Sequence, residues 1–400
     1  MDVNQSWTAQ QWMNHGSRLL ESDPRLAQRL LNKGLRLEPT EAIGWFNLGI
    51  GLHQQRRIKA AIRAYRQCLA LPHNHETERS AQNNLAQDLL LLGAWQQGWS
   101  YYGFRFNRKP GNYPMFARAF GPSHKGPLPS KRPLLLMSEQ GFGDTLQFSR
   151  YALYLQQQGF DVTLLSQPAL LPLLREAVGL ANVADRLDIQ AWQARHPIWM
   201  PLMNVLPFMQ AEELWAPFSE GYLKVHPELI HTWRQRLGRT AGKHLIALHW
   251  QGNPRHEHSI YSRGRSLPFE RLLGLQHMRN VEFVSIQKGA GSEQLRLNLG
   301  LTFVDGQEKV SNSMNFLDTA AVLANCDLLI SSDSAVAHLG GAMGIPTWLA
   351  LRWIPEWRWG LEGERTDWYD NVRLFRQPND GDWESVVQAM VTSWMQTFSP

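Results

Sequence analysis

A stretch near residue 330 combines residue types suited to handling anions. The apolar run Cys326-Asp327-Leu328-Leu329-Ile330 reads as a buried strand. It leads through Ser331, Ser332, Asp333 and Ser334 into Ala335-Val336-Ala337-His338-Leu339-Gly340-Gly341-Ala342, a helix of mostly small residues. Little side chain in the first turn lets a ligand approach the backbone, and the unpaired N–H groups there carry about half a positive charge. The expected ligand is a phosphate or pyrophosphate, and the expected chemistry is that of activated phosphates. Ser334 and Ala335 offer backbone N–H groups. Asp333 either caps the helix or holds a ligand hydroxyl, and His338, one turn further in, is either a core histidine or a ligand contact.

Positioning such a strand–loop–helix requires a sheet, and the sequence from residue 133 onward alternates accordingly. Pro133–Met137 reads as a buried strand, Asp144–Gln158 as a helix, Asp161–Leu165 as a strand and Pro168–Val178 as a helix. A second set begins at His244–His249, continues through Val281–Ile286 and reaches the strand before Ser331. Short apolar runs separated by helices indicate parallel sheets covered on both faces. The polar stretch Thr232–Lys243 separates the two sets. We therefore expect two doubly wound α/β domains, residues 133–235 and 240–400, facing each other across a cleft.

Ligands on such sheets bind beyond the carboxyl ends of the strands. In the first domain this nominates Ser138–Thr145, where Gly141 and Gly143 permit a tight turn and Asp144 stands at the helix start. In the second it nominates Gly252 and Asn253, then Arg265 and Ser266, then Gln287 and Lys288, together with Asp333, Ser334, Ala335 and His338. The first loop is not a dinucleotide fingerprint, because Leu146 occupies the third glycine position.

Residues 1–110 carry a different pattern. Trp45, Leu48, Gly49, Leu52, Ala61, Tyr65 and Leu69 recur at amphipathic spacing before Pro72. This is the tetratricopeptide pattern, two helices packed through small residues at Gly49 and Ala61. Ala27, Leu31, Gly34, Leu35 and Pro39 repeat its second half upstream, and Leu85, Ala86, Leu89, Gly93, Trp95, Gly98 and Tyr102 repeat it downstream. Three units are about the minimum for a continuous core, and the first is degenerate in its opening helix. Between array and sheets, residues 111–132 lie in a proline- and glycine-rich stretch that reads as a linker.

Composition agrees with two or three globular domains: 400 residues, 43% hydrophobic and 19% charged. A net charge of +5 is slight for this length, and Arg56, Arg57, Lys59, Arg63 and Arg66 read as a solvated helix face, so no nucleic acid is expected as a partner. No apolar stretch approaches the roughly 20 residues of a membrane helix, and Met1–Trp12 lacks a signal core, so a cytoplasmic location is expected. Cys68 and Cys326 match no metal or redox spacing and read as reduced core thiols. His256-Glu257-His258 lacks zinc-site geometry. The tryptophans Trp348, Trp353, Trp357, Trp359 and Trp368 read as core packing, with stacking on a sugar as the alternative.

Taken in order, Glu139-Gln140-Gly141-Phe142-Gly143-Asp144-Thr145-Leu146-Gln147-Phe148, Trp250-Gln251-Gly252-Asn253-Pro254, Arg265-Ser266-Leu267-Pro268, Gln287-Lys288-Gly289 and Asp333–Leu339 resemble the bacterial tetratricopeptide-linked glycosyltransferases related to heptosyltransferases, glycosyltransferase family nine. The resemblance covers essentially the whole chain. It implies a tetratricopeptide (TPR) helical array followed by a GT-B fold of two Rossmann-like α/β domains, the first on the acceptor side and the second holding a nucleotide-sugar donor. It further implies transfer with inversion, no metal and no other cofactor.

Such a transfer needs a base for the acceptor hydroxyl and positive charge for the departing diphosphate. Asp144 is either that base or a helix cap. Lys288, Arg265 and the helix start at Ser334-Ala335 supply the charge, although both cations also read as ordinary surface residues. The array would recruit a protein or peptide acceptor through its groove. The rival reading is a catalytically inactive scaffold that binds nucleotide sugar without turnover. A nucleotide-sugar epimerase is a weaker alternative on the same architecture.

Overall fold

The computed structural model describes residues 7–103, 113–129, 132–208, 217–257, 260–297, 300–313 and 315–398. His258 and, of the stretch 111–132, residues 111, 112, 130 and 131 lie outside them. The chain divides into two units, Met1–Asn112 with Glu356–Leu361, and Tyr113–Pro355 with Glu362–Pro400.

Among its described residues the first unit contains three helical hairpins: α1 (Ala9–Arg18) with α2 (Pro24–Leu37), α3 (Ala42–Gln54) with α4 (Ile58–Ala70), and α5 (His75–Leu91) with α6 (Trp95–Tyr102). Local chemistry starts them. Thr8 and Gln11 form a capping box on α1, and Asp23 caps α2 with Pro24 in its first turn. Glycine inside a helix costs about 1 kcal/mol relative to alanine, and here close packing explains it. A Cβ at Gly49 would lie 2.3 Å from the Tyr65 ring, and one at Gly34 would lie 2.5 Å from Met13.

One part of this unit comes from far along the chain. Trp357 is buried and meets the rings of Trp95, Trp99 and Tyr102 edge-on at 6.2, 5.5 and 5.7 Å. Arg358 stacks on Trp357 at 4.3 Å, and Arg56 donates to the Leu361 carbonyl at 2.7 Å. Aromatic pairs of this kind contribute roughly 0.5–1.5 kcal/mol each beyond burial. Arg56 is therefore not merely part of a solvated face, and Trp357 is core, though core of the helical unit.

Among its described residues the second unit holds two all-parallel sheets. The first has β1 (Leu134–Met137), β2 (Val162–Leu165), β3 (Val183–Ala184) and β4 (Ile198–Pro201) in the order β3-β2-β1-β4. The second has β5 (His244–His249), β6 (Val281–Ser285), β7 (Leu328–Ser332), β8 (Thr347–Leu351) and β9 (Val372–Arg376) in the order β6-β5-β7-β8-β9. All of β1 and all of β7 are buried, as strands covered on both faces require.

The intervening helices, in chain order, are α7 (Tyr113–Phe120), α8 (Phe142–Gln157), α9 (Leu171–Glu176), α10 (Ile189–Ala194), α11 (Pro227–Leu237), α12 (Gln307–Asn312), α13 (Phe316–Leu323), α14 (Ala335–Ala342) and α15 (Trp383–Phe398). The architecture is a TPR-like helical array together with a GT-B-type pair of Rossmann-like α/β halves.

Two features differ from the sequence reading. The stretch read as a linker contains α7, whose Phe116 packs on Leu135, Met137 and Trp199 of the first sheet. Its proline, Pro114, falls in the first turn, where a missing N–H costs nothing, so the proline count overstated the disruption. The stretch read as a polar separator contains the end of α11, stopped by Gly238 at φ +63°. There Trp233 is buried and donates to Asp318 at 2.8 Å. Both sheets sit in one unit. Cys68 and Cys326 are buried free thiols, pushed up in pKa by desolvation.

Candidate active site

The loop after β1 is drawn tight at its turn. Gln140 adopts φ +59°, and the Gly141 N–H donates to the Asp144 carboxylate at 2.8 Å. Glu139 is nearly buried and accepts from the Met203 N–H at 3.1 Å, fastening the end of β1 to the segment after β4. Thr145 adds a hydrogen bond to Gln167 beyond β2 at 2.9 Å. The Asp144 carboxylate thus caps the start of α8 while remaining half-buried at the loop.

The loop after β7 is organised by Ser334. Its hydroxyl oxygen accepts from the Val336 N–H at 3.3 Å and lies 3.1 Å from Nδ1 of His249 at the end of β5. Burial pushes His249 down to about 4, so its imidazole is neutral near pH 7. Asp333 is half-exposed at the strand end.

These two loops meet. A Cβ at Gly143 would lie 2.8 Å from Cδ2 of His338 and 3.3 Å from the Ala335 Cα. Only glycine lets the first turn of α8 rest against the first turn of α14, and Asp144 is the next residue along. The exposed Phe142 also meets Phe316 at the start of α13, ring centroids 5.3 Å apart. The structure therefore brings Asp144, Gly141 and Gly143 together with Ser334, Ala335 and His338.

The remaining nominated residues divide. Gln287 is buried, and its amide is fully used. Its oxygen accepts from the Trp250 and Gln251 N–H groups, both at 3.1 Å, and its nitrogen donates to the Gln251 and Ala290 carbonyls at 2.8 and 2.7 Å. Gln287 is an internal brace for the loop after β5. Asn253 is exposed and accepts from the Arg255 N–H at 3.0 Å, capping a short turn.

The Gly252 N–H donates to Ser266 at 3.3 Å, and a Cβ there would lie 3.2 Å from the Arg265 guanidinium. Glu257 accepts from the Ser266 hydroxyl and stands 3.8 Å from Arg265 Nε, so part of the Arg265 charge is already answered. Lys288 donates to the Val310 carbonyl, and burial pushes it down to about 8 despite the opposing charge of Asp318.

Sequence reasoning missed His249, Glu257 and Tyr369, which contacts His338. His249 was reachable from its place at a strand's carboxyl end. Tyr369 follows no motif and becomes visible only in the packed structure. Trp359 and Trp368 are buried, Trp368 beside Phe148 at 6.0 Å, and Trp348 packs on Phe375 at 5.0 Å.

Two parallel Rossmann-like sheets whose loops converge at two helix N-termini make a fold of GT-B type. No family model matches the chain. The fold is similar to that of a glycosyltransferase family 9 structure from Veillonella parvula, at 12% identity and a TM-score of 0.50, covering 68% of this chain and 99% of that one. ADP-heptose lipopolysaccharide heptosyltransferase II of E. coli is also similar, at 12% identity and a TM-score of 0.42, covering 66% of this chain and 99% of that one. Among curated proteins the chain is similar to Protein FlbA of Caulobacter vibrioides, 24% identical over 387 residues. That match covers 90% of this chain, which spans 63% of the length of FlbA. Among the described residues, no helix is long and apolar enough to cross a membrane.

Proposed function

We propose that the chain is a glycosyltransferase that moves a hexose or heptose from a nucleotide diphosphate sugar to an acceptor hydroxyl, with inversion and without a metal ion. The observation that carries this reading is the abutment of Gly143 on Ala335 and His338. It sets a carboxylate beside a helix start suited to a diphosphate. In the forward reaction Asp144 takes the acceptor proton, the acceptor oxygen attacks the sugar carbon from the face opposite the diphosphate, and the diphosphate leaves against the α14 backbone. The helical array recruits the acceptor, a protein or peptide, since stacked helical hairpins suit extended chains.

The test is transfer of a radiolabelled sugar from a panel of nucleotide sugars to cell-extract protein by the full chain. Label in protein supports the reading. Binding of a nucleotide sugar with neither transfer nor hydrolysis supports the rival scaffold reading instead, which draws on the capping bond from Gly141 to Asp144.

Lys288 supplies a pH signature. Because burial lowers its pKa to about 8, the ammonium is present below that pH and lost above it. Affinity for a nucleoside diphosphate should therefore fall as pH rises through about 8. In Lys288→Met the affinity should be lower and flat across the same window. Calorimetric titration of both proteins over that range checks it, and an unchanged wild-type affinity removes Lys288 from the donor site.

A further inference from the structure

The helical unit carries much of its positive charge on the second helices of its first two hairpins. α2 bears Arg25, Arg29, Lys33 and Arg36, while α4 bears Lys59, Arg63 and Arg66, with Arg57 just before its start. All eight residues are exposed, and neither helix contains an acidic residue. Helix surfaces in water ordinarily interleave the two signs, because like charges one turn apart repel. These eight cations exceed the net charge of +5 of the entire chain, so the rest of the protein is net negative.

The fold makes one surface of the two rows. Arg25 and Arg29 flank Ala27 on α2 as Lys59 and Arg63 flank Ala61 on α4, and both alanines are fully buried at equivalent points of the repeat. The cations therefore leave the two helices in the same sense. Arg57 donates to Gln28 of α2 at 3.1 Å, which ties the start of α4 to the neighbouring row. Arg66 donates to Gln97 of α6 at 2.9 Å, and Lys33 lies 4.4 Å over the Trp12 ring. These partners are uncharged, and among the described residues none of the eight cations is ion-paired.

We propose that the exposed face of α2 and α4 is a docking surface for an acidic segment of a partner polypeptide, whose Asp and Glu side chains lie along the two rows. Six of the eight cations are arginine, whose planar guanidinium grips a carboxylate through two parallel hydrogen bonds where lysine offers a point charge. The rows are also short. From Arg25 to Arg36 the helix rises about 17 Å, roughly the reach of five extended residues. Exposed acids bound α2 at both ends, Asp23 before it and Glu38 after it. A flat anionic bilayer or a long nucleic acid would run over those acids, whereas a short acidic run meets cations alone. The surface is independent of the donor site, and it stands whether or not the chain transfers sugar.

The test is binding of a fluorescein-labelled glutamate decamer to the full-length protein, read by anisotropy. Binding should be present at about 50 mM salt and fall steeply by about 300 mM, because screening shortens the reach of exposed charges. Reversing one cation in each row, Arg29→Glu with Arg63→Glu, should weaken it by at least about tenfold. Arg118→Glu, an exposed position on α7 with the same change of sign, should leave it unchanged. The milder pair Arg29→Gln with Arg63→Gln keeps the side-chain stems and helix propensity, and a loss of about threefold is expected there. It covers the case in which the double reversal fails to fold.

No binding of the decamer at low salt, unchanged affinity in the folded variants, or an equal loss in Arg118→Glu overturns the surface. Phosphatidylcholine vesicles with about 30% phosphatidylglycerol, and a uridine decamer, test the choice of partner. Tighter binding of either than of the glutamate peptide, lost in the same variants, overturns the acidic polypeptide as the occupant.

Discussion

Asp144→Asn should lower turnover by about a hundredfold or more while leaving nucleotide-sugar affinity and thermal stability nearly unchanged. The structure makes this substitution unusually clean. The carboxylate accepts the Gly141 N–H at 2.8 Å, and an asparagine side-chain oxygen can accept the same bond, so the capping function survives. What disappears is the capacity to take a proton from an attacking hydroxyl. Steady-state kinetics with the donor that binds, together with calorimetric affinity and a melting curve, separate the two roles. Near-normal turnover would reduce Asp144 to a cap and move the base elsewhere. A drop in both stability and affinity would show that the cap, rather than the proton transfer, had been lost.

The parts of this protein that were legible in its sequence are those whose signal is periodic or local. Strands β1, β5 and β7 are short apolar runs ending in small or polar residues, and parallel sheets write themselves that way. The helical hairpins were visible because Gly49 and Tyr65 recur at positions fixed by helix contact. Ser334 and Ala335 were legible because a cap and a small first turn form a local pattern.

Long-range contacts left no such trace. Nothing around Trp357 says that it leaves its neighbours Trp353 and Trp368 to pack against Trp95 and Trp99, some 260 residues earlier in the sequence. Proline density reports where regular structure is hard to continue, yet α7 carries Pro114 in its first turn. Gln287 shows a third limit. Its type and place suggested a ligand contact, yet its four hydrogen bonds all close within the protein, and only coordinates can count them.

The second large effect is expected at the start of α14. Ala335→Asp should abolish nucleoside diphosphate binding, which in the wild-type protein should persist with EDTA present. An aspartate in the first turn of a helix is compatible with folding, because it complements the positive end of the helix dipole. The variant should therefore melt near the wild-type temperature. The same charge that favours the helix opposes the ligand. At about 4 Å and an effective dielectric near 20, one pair of like charges costs roughly 4 kcal/mol, about three orders of magnitude in affinity. A diphosphate presents more than one charge, and the close approach of Gly143 to Ala335 leaves the new side chain little room to turn aside. Binding measured by calorimetry, with Ala335→Asn as a neutral control of the same size, distinguishes repulsion from crowding. Equal affinity in the aspartate variant would mean that the diphosphate does not sit on this helix. The donor would then have to be sought at the loops after β5 and β6, where Arg265 and Lys288 stand.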